Sequence, residues 1–195
     1  MISSISGTVK STSISSIVVE VGGVGVLLQV PIRVAAKIQN GEKVSFHTYL
    51  IVREDALTLY GFTEVLDRDF FELLLSVTGI GPKVAQSILA NGDANTIANA
   101  VVSSNLKTLE SIPGLGKKGA QRLVLELKDK ATAFAGGKVG SNIATSNQIE
   151  NALQGLGYSS KEAATMLNQV MKDEKIDGLS AAQILKLALK SSGKQ

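Results

Sequence analysis

The first 62 residues alternate apolar and polar positions at the short period of β-strands. Small and polar residues separate Ile2, Ile5 and Val9, and two β-branched runs flank the turn at Gly22-Gly23. Five short strands joined by turns, with one small helix, are typical of a compact barrel, most often of the OB type. A small β-sandwich or an SH3-like barrel is the alternative. The strands are predicted around residues 2–9, 17–21, 24–30, 44–52 and 57–62, and the helix at 33–39.

The period becomes helical after the predicted barrel. Phe70, Phe71 and Leu74 form one apolar stripe at helical spacing. The region that follows holds an internal repeat with an offset of 35 residues: residues 76–89 align with 111–124, and six of the 14 pairs are identical. This self-similarity predicts a tandem unit in which each copy is a helix, a turn and a second helix.

The last third of the chain changes composition twice. Residues 131–147 are rich in Gly, Ser and Asn and have no periodic apolar face, which predicts a flexible linker. Three short amphipathic helices are predicted beyond it, and Ser159 is placed to cap the second of them. They are expected at residues 148–156, 160–172 and 180–191. The predicted domains are therefore a barrel (1–64), a tandem helical domain (65–130), the linker and a three-helix domain (148–195).

Composition narrows the possible chemistry. The 195 residues include no Cys, no Trp and one His, and aromatic residues make up only 4%. The absence of Cys excludes a disulfide scaffold and a thiolate metal site, and a single His excludes a multi-His zinc site. We therefore expect no metal or other cofactor, and we expect His47 to be a structural residue. These features indicate a protein that binds rather than catalyses.

The net charge is +3, and it is spread thinly along the chain. Residues 1–64 carry 0, residues 65–134 carry +1 and residues 135–195 carry +2. DNA-binding domains usually have a strong basic excess. Binding to DNA would therefore need a few well-placed contacts, backbone groups or the assembly of several copies. With no signal peptide and no apolar run of about 20 residues, we expect a cytoplasmic protein without membrane association.

Each copy of the repeat places Gly-x-Gly immediately before a helix, with Gly79 and Gly81 in the first copy and Gly114 and Gly116 in the second. Glycines permit a tight turn and a close approach by another molecule. The unpaired N–H groups and the positive dipole end of the following helix form a phosphate site. Such glycines can also simply join antiparallel helices, but two copies, each followed by Lys, favour phosphate binding.

Basic side chains add charge beside both turns. Lys83 follows the first Gly-x-Gly, Lys117 and Lys118 follow the second, and Arg122 lies one turn beyond Lys118 on the same side of its helix. The predicted DNA-binding residues are Gly79, Gly81, Lys83, Gly114, Gly116, Lys117, Lys118 and Arg122.

Two nucleotide-binding motifs do not account for these glycines. Residues 114–119 satisfy G-x-G-x-x-G, but the dinucleotide-binding motif requires a preceding strand, and a short helical run precedes this one. The phosphate-binding loop G-x-x-x-x-G-K-[ST] does not occur in the sequence. We therefore expect that the chain cannot run an ATPase cycle alone.

The paired motifs T-G-I-G-P-K and P-G-L-G-K-K, preceded by a small β-barrel, resemble the RuvA family of bacterial Holliday-junction subunits. The likeness extends through V-G-G-V-G, V-R-E-D-A-x-x-L-Y-G-F, E-L-K-D-K and L-G-Y. Val26 departs from the family, in which an aromatic residue usually follows V-G-G-V-G. The resemblance implies a multi-domain α+β fold with an OB-like β-barrel, an all-α tandem helix-hairpin-helix domain and a mobile three-helix, UBA-like domain.

The resemblance also implies a function and partners. Members of the family bind four-way junction DNA as homotetramers, one or two per junction, and hold it in an open, near-square form. The hexameric ATPase RuvB uses ATP and Mg to drive branch migration, and the resolvase RuvC joins the resolution complex. The chain would then be a non-catalytic DNA-binding subunit in recombination and repair, with sequence-independent phosphate contacts.

Glu54 and Asp55 lie between the last two predicted strands. From the sequence alone, two adjacent acids in a turn are usually solvated turn residues. The resemblance implies instead that they form an acidic pin at the crossover of the junction, where their negative charge repels phosphates.

The three-helix domain is too small to bury all of its apolar side chains. Leu153, Leu156 and Tyr158 cluster at the end of its first predicted helix, and Leu187 and Leu189 lie on its last. We expect some of them to contact the partner motor, as the resemblance also suggests. Filling the core of the bundle is the alternative for each of them.

Two other functions compete with junction binding. A helix-hairpin-helix DNA glycosylase would use Lys117 or Lys118 to attack a sugar, but it needs a positioned carboxylate, for which Asp129 is a poor candidate, and an aromatic base pocket. A single-strand binder needs exposed aromatic residues on its strands. The aromatic residues available in the predicted barrel are Phe46, Tyr49, Tyr60 and Phe62.

Overall fold

A computed structural model of the chain describes residues 2–136, 149–171 and 181–192. The chain divides into two compact units, Met1–Gly137 and Lys138–Gln195. The first unit contains the β-structure and the tandem helices, and the second is helical in its described residues.

The N-terminal part of the first unit consists of β1 (Ser4–Thr12), β2 (Ser16–Val21), β3 (Val24–Gln29), α1 (Ile32–Ala35), β4 (Lys43–Val52) and β5 (Leu57–Phe62). The strands form a closed barrel in the order β1-β2-β3-β5-β4. β3 pairs with β5 in parallel, through Leu28 and Leu59, and the other pairings of the barrel are antiparallel. This topology confirms the predicted OB-like barrel, and it is neither a sandwich nor an SH3-like barrel.

Glycines allow the barrel strands to turn and to approach one another. A Cβ at Gly7 would lie 2.1 Å from the carbonyl oxygen of Glu20, so β1 can lie this close to β2 only without a side chain. Gly22 and Gly23 have φ values of 58° and 87°, the left-handed conformation that the two-residue hairpin between β2 and β3 requires. The fully buried side chains inside the barrel include Val9, Ile17, Val19, Leu28, Val30 and Phe46.

Five helices follow the barrel in residues 63–136: α2 (Val65–Leu75), α3 (Pro82–Asn91), α4 (Ala94–Val102), α5 (Leu106–Glu110) and α6 (Gly116–Ala131). Their apolar faces share one core with the edge of the barrel. The ring of Phe71 in α2 lies 4.9 Å from that of Tyr60 and 5.1 Å from that of Phe62, measured between centroids. The barrel and the helices therefore pack as one body.

A buried ion pair joins the barrel to three of these helices. Arg33 in α1 pairs with Asp67 in α2, whose side chain is only 3% exposed. Arg33 Nε also donates to the carbonyl oxygen of Leu89 near the end of α3, at 2.7 Å. The other carboxylate oxygen of Asp67 accepts from the backbone N–H of Ala94, the first residue of α4, at 2.8 Å. The backbone groups at two helix ends are thus satisfied by one charged pair.

The helical part of the first unit continues beyond residue 130. Ala131 ends α6 and is fully buried, and the ring of Phe134 packs against that of Phe70 with centroids 5.1 Å apart. Asn95 Nδ2 donates to the carbonyl oxygen of Phe134 at 3.0 Å. Residues 131–136 were expected in the linker, but they belong to the packed unit because Phe134 covers its core. The rest of the predicted linker lies outside the described residues.

The second unit contains α7 (149–155), α8 (Ser160–Met171) and α9 (Ala181–Ser192). Ser159 caps α8 as predicted. Its N–H donates to Glu162 Oε2 at 2.8 Å, and the N–H of Glu162 donates to Ser159 Oγ at 3.3 Å, which is a capping box. The hydroxyl of Ser159 also donates to Glu162 Oε2, at 2.6 Å, and this bond together with that from the Ser159 N–H lowers the pKa of Glu162. Leu179 and Ser180, which the sequence favours as the N-terminal cap of α9, lie outside the described part of the chain.

We expect that replacing Asp67 by Ala destabilises the first unit by about 3–5 kcal/mol, because it leaves Arg33 without its partner in a largely buried position. Asp69→Ala is the matched control, since its carboxylate is 30% exposed and pairs only with the neighbouring Arg68. That change should cost less than about 1 kcal/mol. Urea unfolding of both variants measures the difference in the free energy of unfolding. Equal decreases for the two variants would show that the pair with Arg33 does not stabilise the unit more than the exposed pair does.

Candidate nucleic-acid interface

The first Gly-x-Gly turn connects α2 to α3. Gly79 has φ 84°, a left-handed conformation, and Ile80 between the two glycines is buried in the core. Gly81 is the N-cap of α3, with φ −90° and ψ 175°, and Pro82 occupies the first turn of the helix as predicted. No atom lies within 4 Å of the place where a Cβ of Gly81 would be. The turn is anchored by Ile80 and is open at Gly81.

The second Gly-x-Gly turn connects α5 to α6 and repeats this arrangement. Gly114 has φ 84°, Gly116 has φ 60°, and the intervening Leu115 is buried like Ile80. Gly116 is the first residue of α6. The two turns differ at their second glycine, because Gly116 requires the left-handed region and Gly81 does not.

Each turn presents the N-terminus of a helix beside exposed Lys residues. The first four N–H groups of a helix have no partner within it, and the helix dipole makes this end positive. Lys83 in α3 and Lys117 and Lys118 in α6 are exposed. Both helices, of 10 and 16 residues, are long enough to carry a dipole. Phosphate groups are the ligands that such a pair of sites suits.

Hydrogen bonds between the two hairpins hold the turns together. Arg122 Nη1 in α6 donates to the carbonyl oxygen of Thr78 in the first turn at 2.8 Å. Ser87 Oγ in α3 donates to the carbonyl oxygen of Pro113 in the second turn, also at 2.8 Å. Glu126 Oε2 accepts from the N–H of Thr78 at 3.3 Å. Arg122, which the sequence placed among direct DNA contacts, is thus engaged with the protein backbone.

Sequence reasoning missed Ser87, although the repeat contained a signal for it. Ser87 and Arg122 occupy equivalent positions of the two copies, 35 residues apart, and so do Thr78 and Pro113. Polar side chains at equivalent positions of the two copies are the signal that would have selected Ser87 and Arg122. Their dissimilar side chains hid the equivalence.

Glu54 and Asp55 are exposed in the turn between β4 and β5, where the N–H of Arg53 donates to the carbonyl oxygen of Ala56 at 2.8 Å. An open cleft of about 800 Å³ lies between this turn and the start of α3. Burial raises the pKa of Tyr60 in its wall, and the positive charge of Arg53 partly opposes that shift. The lining includes Arg53, Asp55, Tyr60, Gly81, Lys83 and Gln86. The structure therefore brings one of the two acidic residues beside the first Gly-x-Gly turn.

The barrel aromatics are not arranged for stacking on bases. Phe46, Tyr60 and Phe62 are buried. Tyr49 is half-buried, with its ring edge-on to Phe71 at 5.7 Å between centroids. Phe46 fills the core of the barrel, and the other three rings pack against Phe71 between barrel and helices, which argues against a single-strand binder that uses them.

The residues expected to dock a partner separate into two groups. Leu153 is fully buried in the core of the second unit, and Tyr158 and Leu189 pack against that core. Leu156 is 60% exposed and Leu187 is 40% exposed. This corrects the expectation for Leu153, which belongs to the buried core that α7 shares with α8 and α9. Leu156 and Leu187 are the members that face solvent.

Three further expectations concern His47, a metal site and a membrane-spanning helix. His47 lies in β4, opposite Ser4 and Phe62, and is half-buried. Among residues 2–136, 149–171 and 181–192, no cluster of three or more His, Cys, Asp or Glu could hold a metal ion. No helix in these ranges is long and apolar enough to span a membrane.

The fold and the paired turns define a class of protein: an OB-type barrel joined to tandem helix-hairpin-helix motifs. Family models divide the chain in the same way. The RuvA N-terminal domain matches residues 1–61, the SAM-like helix-hairpin-helix tandem matches 71–129, and the RuvA C-terminal domain matches 144–193. The chain belongs to the RuvA family.

Curated relatives support this assignment over the whole length of the chain. The chain is 38% identical to a protein of Cutibacterium acnes and 39% identical to one of Streptomyces coelicolor, with 98% of both chains covered in each case. It is 35% identical to a protein of Mycobacterium leprae, over 100% of this chain and 99% of the relative. Each of the three is named Holliday junction branch migration complex subunit RuvA.

Replacing Gly81 by Val is expected to leave the fold intact and to weaken DNA binding at least tenfold. The backbone at Gly81 is extended, so any residue can adopt it, and no protein atom lies near the new Cβ. A phosphate approaching the amides of this turn would meet the side chain. Fluorescence anisotropy with a labelled DNA measures the affinity, and thermal unfolding checks the fold.

Gly155→Ala in α7 is the control, because a Cβ there also meets no atom within 4 Å. Its affinity should equal that of the unchanged chain. A folded Gly81→Val variant with unchanged affinity would contradict a phosphate contact at the first turn.

Proposed function

We propose that this chain is the DNA-binding subunit of a Holliday junction branch migration complex. It binds four-way junction DNA without regard to sequence and holds the junction open while RuvB drives migration. One observation carries the proposal: two Gly-x-Gly turns, each at the start of a helix and beside exposed Lys, are cross-linked by hydrogen bonds. The proposal is also supported by membership of the RuvA family, since the relatives described above are named Holliday junction branch migration complex subunit RuvA.

The chemistry of the turns suits sequence-independent binding. Backbone amides and Lys ammonium groups contact phosphates, which are the same at every base pair, so such contacts carry no sequence information. A subunit that holds DNA while it moves needs contacts of this kind. The proposed phosphate-binding residues are Gly79, Gly81, Lys83, Gly114, Gly116, Lys117 and Lys118.

We propose that the subunit acts as a homotetramer, with one or two tetramers per junction. A net charge of +3 per chain is small for a DNA-binding protein. Four copies around a crossover would multiply the phosphate sites and give high avidity from weak single contacts.

The subunit itself is non-catalytic and uses no cofactor, since ATP and Mg belong to RuvB. RuvC is a further partner at resolution, and the complex is cytoplasmic.

Glu54 and Asp55 are proposed as an acidic pin at the crossover. Both are exposed, and Asp55 lines the same cleft as Gly81 and Lys83. Phosphates attracted by the first turn would thus lie near a carboxylate that repels them. Such a pair of opposite charges disfavours continuous duplex across the centre and favours strands that separate there.

A competition experiment tests the proposed function. Unlabelled four-way junction, duplex and single-stranded DNA of equal length compete with labelled junction for the full-length protein, without ATP. We expect the junction to compete at least tenfold better than either other DNA, regardless of sequence. Preference for single strands would favour the single-strand binder, and covalent trapping by borohydride on an abasic duplex would favour the glycosylase.

The double change Glu54→Gln and Asp55→Asn is expected to leave junction affinity unchanged or higher, because it removes negative charge near phosphates. Duplex affinity should rise more, so that the preference for the junction falls by about threefold or more. The same competition experiment measures both values.

Glu64→Gln with Glu72→Gln is the matched control, since it removes two exposed carboxylates at and within α2. If both double variants change the preference equally, the effect is one of net charge and the pin is wrong. A tetramer that loses junction affinity when Glu54 and Asp55 are neutralised would also contradict it.

We propose the second unit as the docking module for RuvB, with Leu156 and Leu187 as apolar contacts. Both are exposed, whereas other apolar residues of the unit form its core. Gly157, with φ 97°, ends α7 directly after Leu156. The N–H groups of Gly157 and Tyr158 donate to the carbonyl oxygens of Gln154 and Leu153, at 3.0 and 3.2 Å, which fixes the turn that carries Leu156.

A chain that ends at Gly136 should bind junctions like the full chain but should not support branch migration by RuvB with ATP. The end point preserves the contact of Phe134 with Phe70, which a chain ending at Lys130 would lose. In the full chain, Leu156→Ser should reduce migration several-fold, and Gln169→Ala, an exposed change in α8, should not. Normal migration by the shortened chain would disprove the docking role.

A further inference from the structure

The hydrogen bonds between the two hairpins are one interaction in two copies. Ser87 holds the carbonyl oxygen of Pro113, and Arg122 holds that of Thr78. The two donors are 35 residues apart, and so are the two acceptors, which is the offset of the repeat. The two donors differ in length and charge, yet both reach the residue that precedes the first glycine of the opposite turn. The shared feature is therefore the bond to that carbonyl and not the type of side chain.

These carbonyls belong to the same peptide groups as the N–H groups of the two glycines. The peptide unit is planar, and the described part of the chain has no cis bond, so C=O and N–H point in opposite directions. Holding the carbonyl of Thr78 towards α6 therefore directs the N–H of Gly79 away from α6. Holding the carbonyl of Pro113 towards α3 likewise directs the N–H of Gly114 away from α3.

We propose that Ser87 and Arg122 are positioning residues that aim the Gly114 and Gly79 amides at phosphates, each acting on the hairpin to which it does not belong. The inference rests on the proposed function and adds to it a coupling between the two phosphate sites. Glu126 assists Arg122, because it accepts from the N–H of Thr78 while Arg122 donates to the carbonyl oxygen of the same residue. Both backbone groups of Thr78 are therefore held by α6.

Arg122 has a competing role as a direct phosphate contact, as the sequence suggested. Salt dependence separates the two roles. Neutralising a residue that pairs with a phosphate flattens the slope of log affinity against log salt, because fewer counterions are released. Loss of an uncharged hydrogen bond that aims an amide lowers affinity and leaves this slope unchanged. Ser87 carries no charge, so it tests positioning without that ambiguity.

The experiment measures the affinity of the full-length protein for a four-way junction over a series of salt concentrations. Ser87→Ala and Ser87→Val should each weaken binding by about three- to tenfold, the usual weight of one hydrogen bond, with an unchanged slope. Ser87→Thr, which has the shape of Val and keeps the hydroxyl, should stay within twofold of the unchanged chain. Equal affinities of the Thr and Val variants would overturn the proposal for Ser87.

The matching comparison for Arg122 uses Arg122→Met and Lys118→Met. Both remove one positive charge from α6, and only Lys118 is proposed to bind phosphate directly. Lys118→Met should flatten the salt slope, and Arg122→Met should weaken binding with a distinctly smaller change of slope. Equal flattening would assign Arg122 to phosphate contact and overturn its positioning role.

Double-mutant cycles test the crossing of the effect between hairpins. Ser87→Ala should be non-additive with Lys117→Ala in the second hairpin, and additive within about twofold with Lys83→Ala in its own hairpin. The reverse pattern, or additivity in both cycles, would overturn the proposal. Its failure is distinct from that of the proposed function, because an unchanged chain without junction preference would refute the latter before any variant is measured.

Discussion

The buried pair of Arg33 and Asp67 fixes the geometry on which the candidate interface depends. Asp67 binds the start of α4, and Arg33 binds the end of α3. Moving α1 away from α2 would leave the carboxylate of Asp67, which is only 3% exposed, without its charged partner, at a cost of several kcal/mol. Since α3 begins at the first Gly-x-Gly turn, the position of that turn relative to the barrel is set by this pair. The rings of Tyr60, Phe62 and Phe71 add an apolar contact beside it.

The packing of barrel and helices as one body also fixes the turn of Glu54 and Asp55 relative to α3. Asp55 belongs to the barrel and Lys83 to the helical part, yet both line one cleft. If the two parts moved independently, attraction at Lys83 and repulsion at Asp55 would act on a phosphate at varying distances. In a single packed body the spacing of the two side chains is set by the fold, and the proposed acidic pin would use that spacing to discriminate between DNA shapes. A four-way junction has a discontinuity at its centre, and continuous duplex has none.

The sequence predicted the elements whose signals are local. β-Branched runs placed the strands within a few residues, and Ser159 with Glu162 identified the cap of α8. The helix predicted at 33–39 is Ile32–Ala35 in the structure: it begins one residue earlier, directly after Pro31, and it is shorter because a turn at Ala36 and Lys37 ends it. Phe134 could not be assigned to the packed unit from its neighbours, which are Ala, Thr and Gly, since only the fold shows that Phe70 lies beneath it. Nothing in the helical pattern marked Asp67 as buried, because its partners Arg33 and Ala94 lie 34 and 27 residues away along the chain.

The glycines show how far the site itself was predictable. The repeat located both turns, and Gly79 and Gly114 have the same left-handed φ of 84°. The second glycines differ in conformation, which the shared motif did not reveal: Gly116 is left-handed, and Gly81 is extended with open space around it. A side chain at Gly81 would cost the fold little, so its folded structure alone does not demand a glycine there. Close approach by a ligand is the role proposed for Gly at that position, because the absence of a side chain would let a phosphate reach the backbone amides.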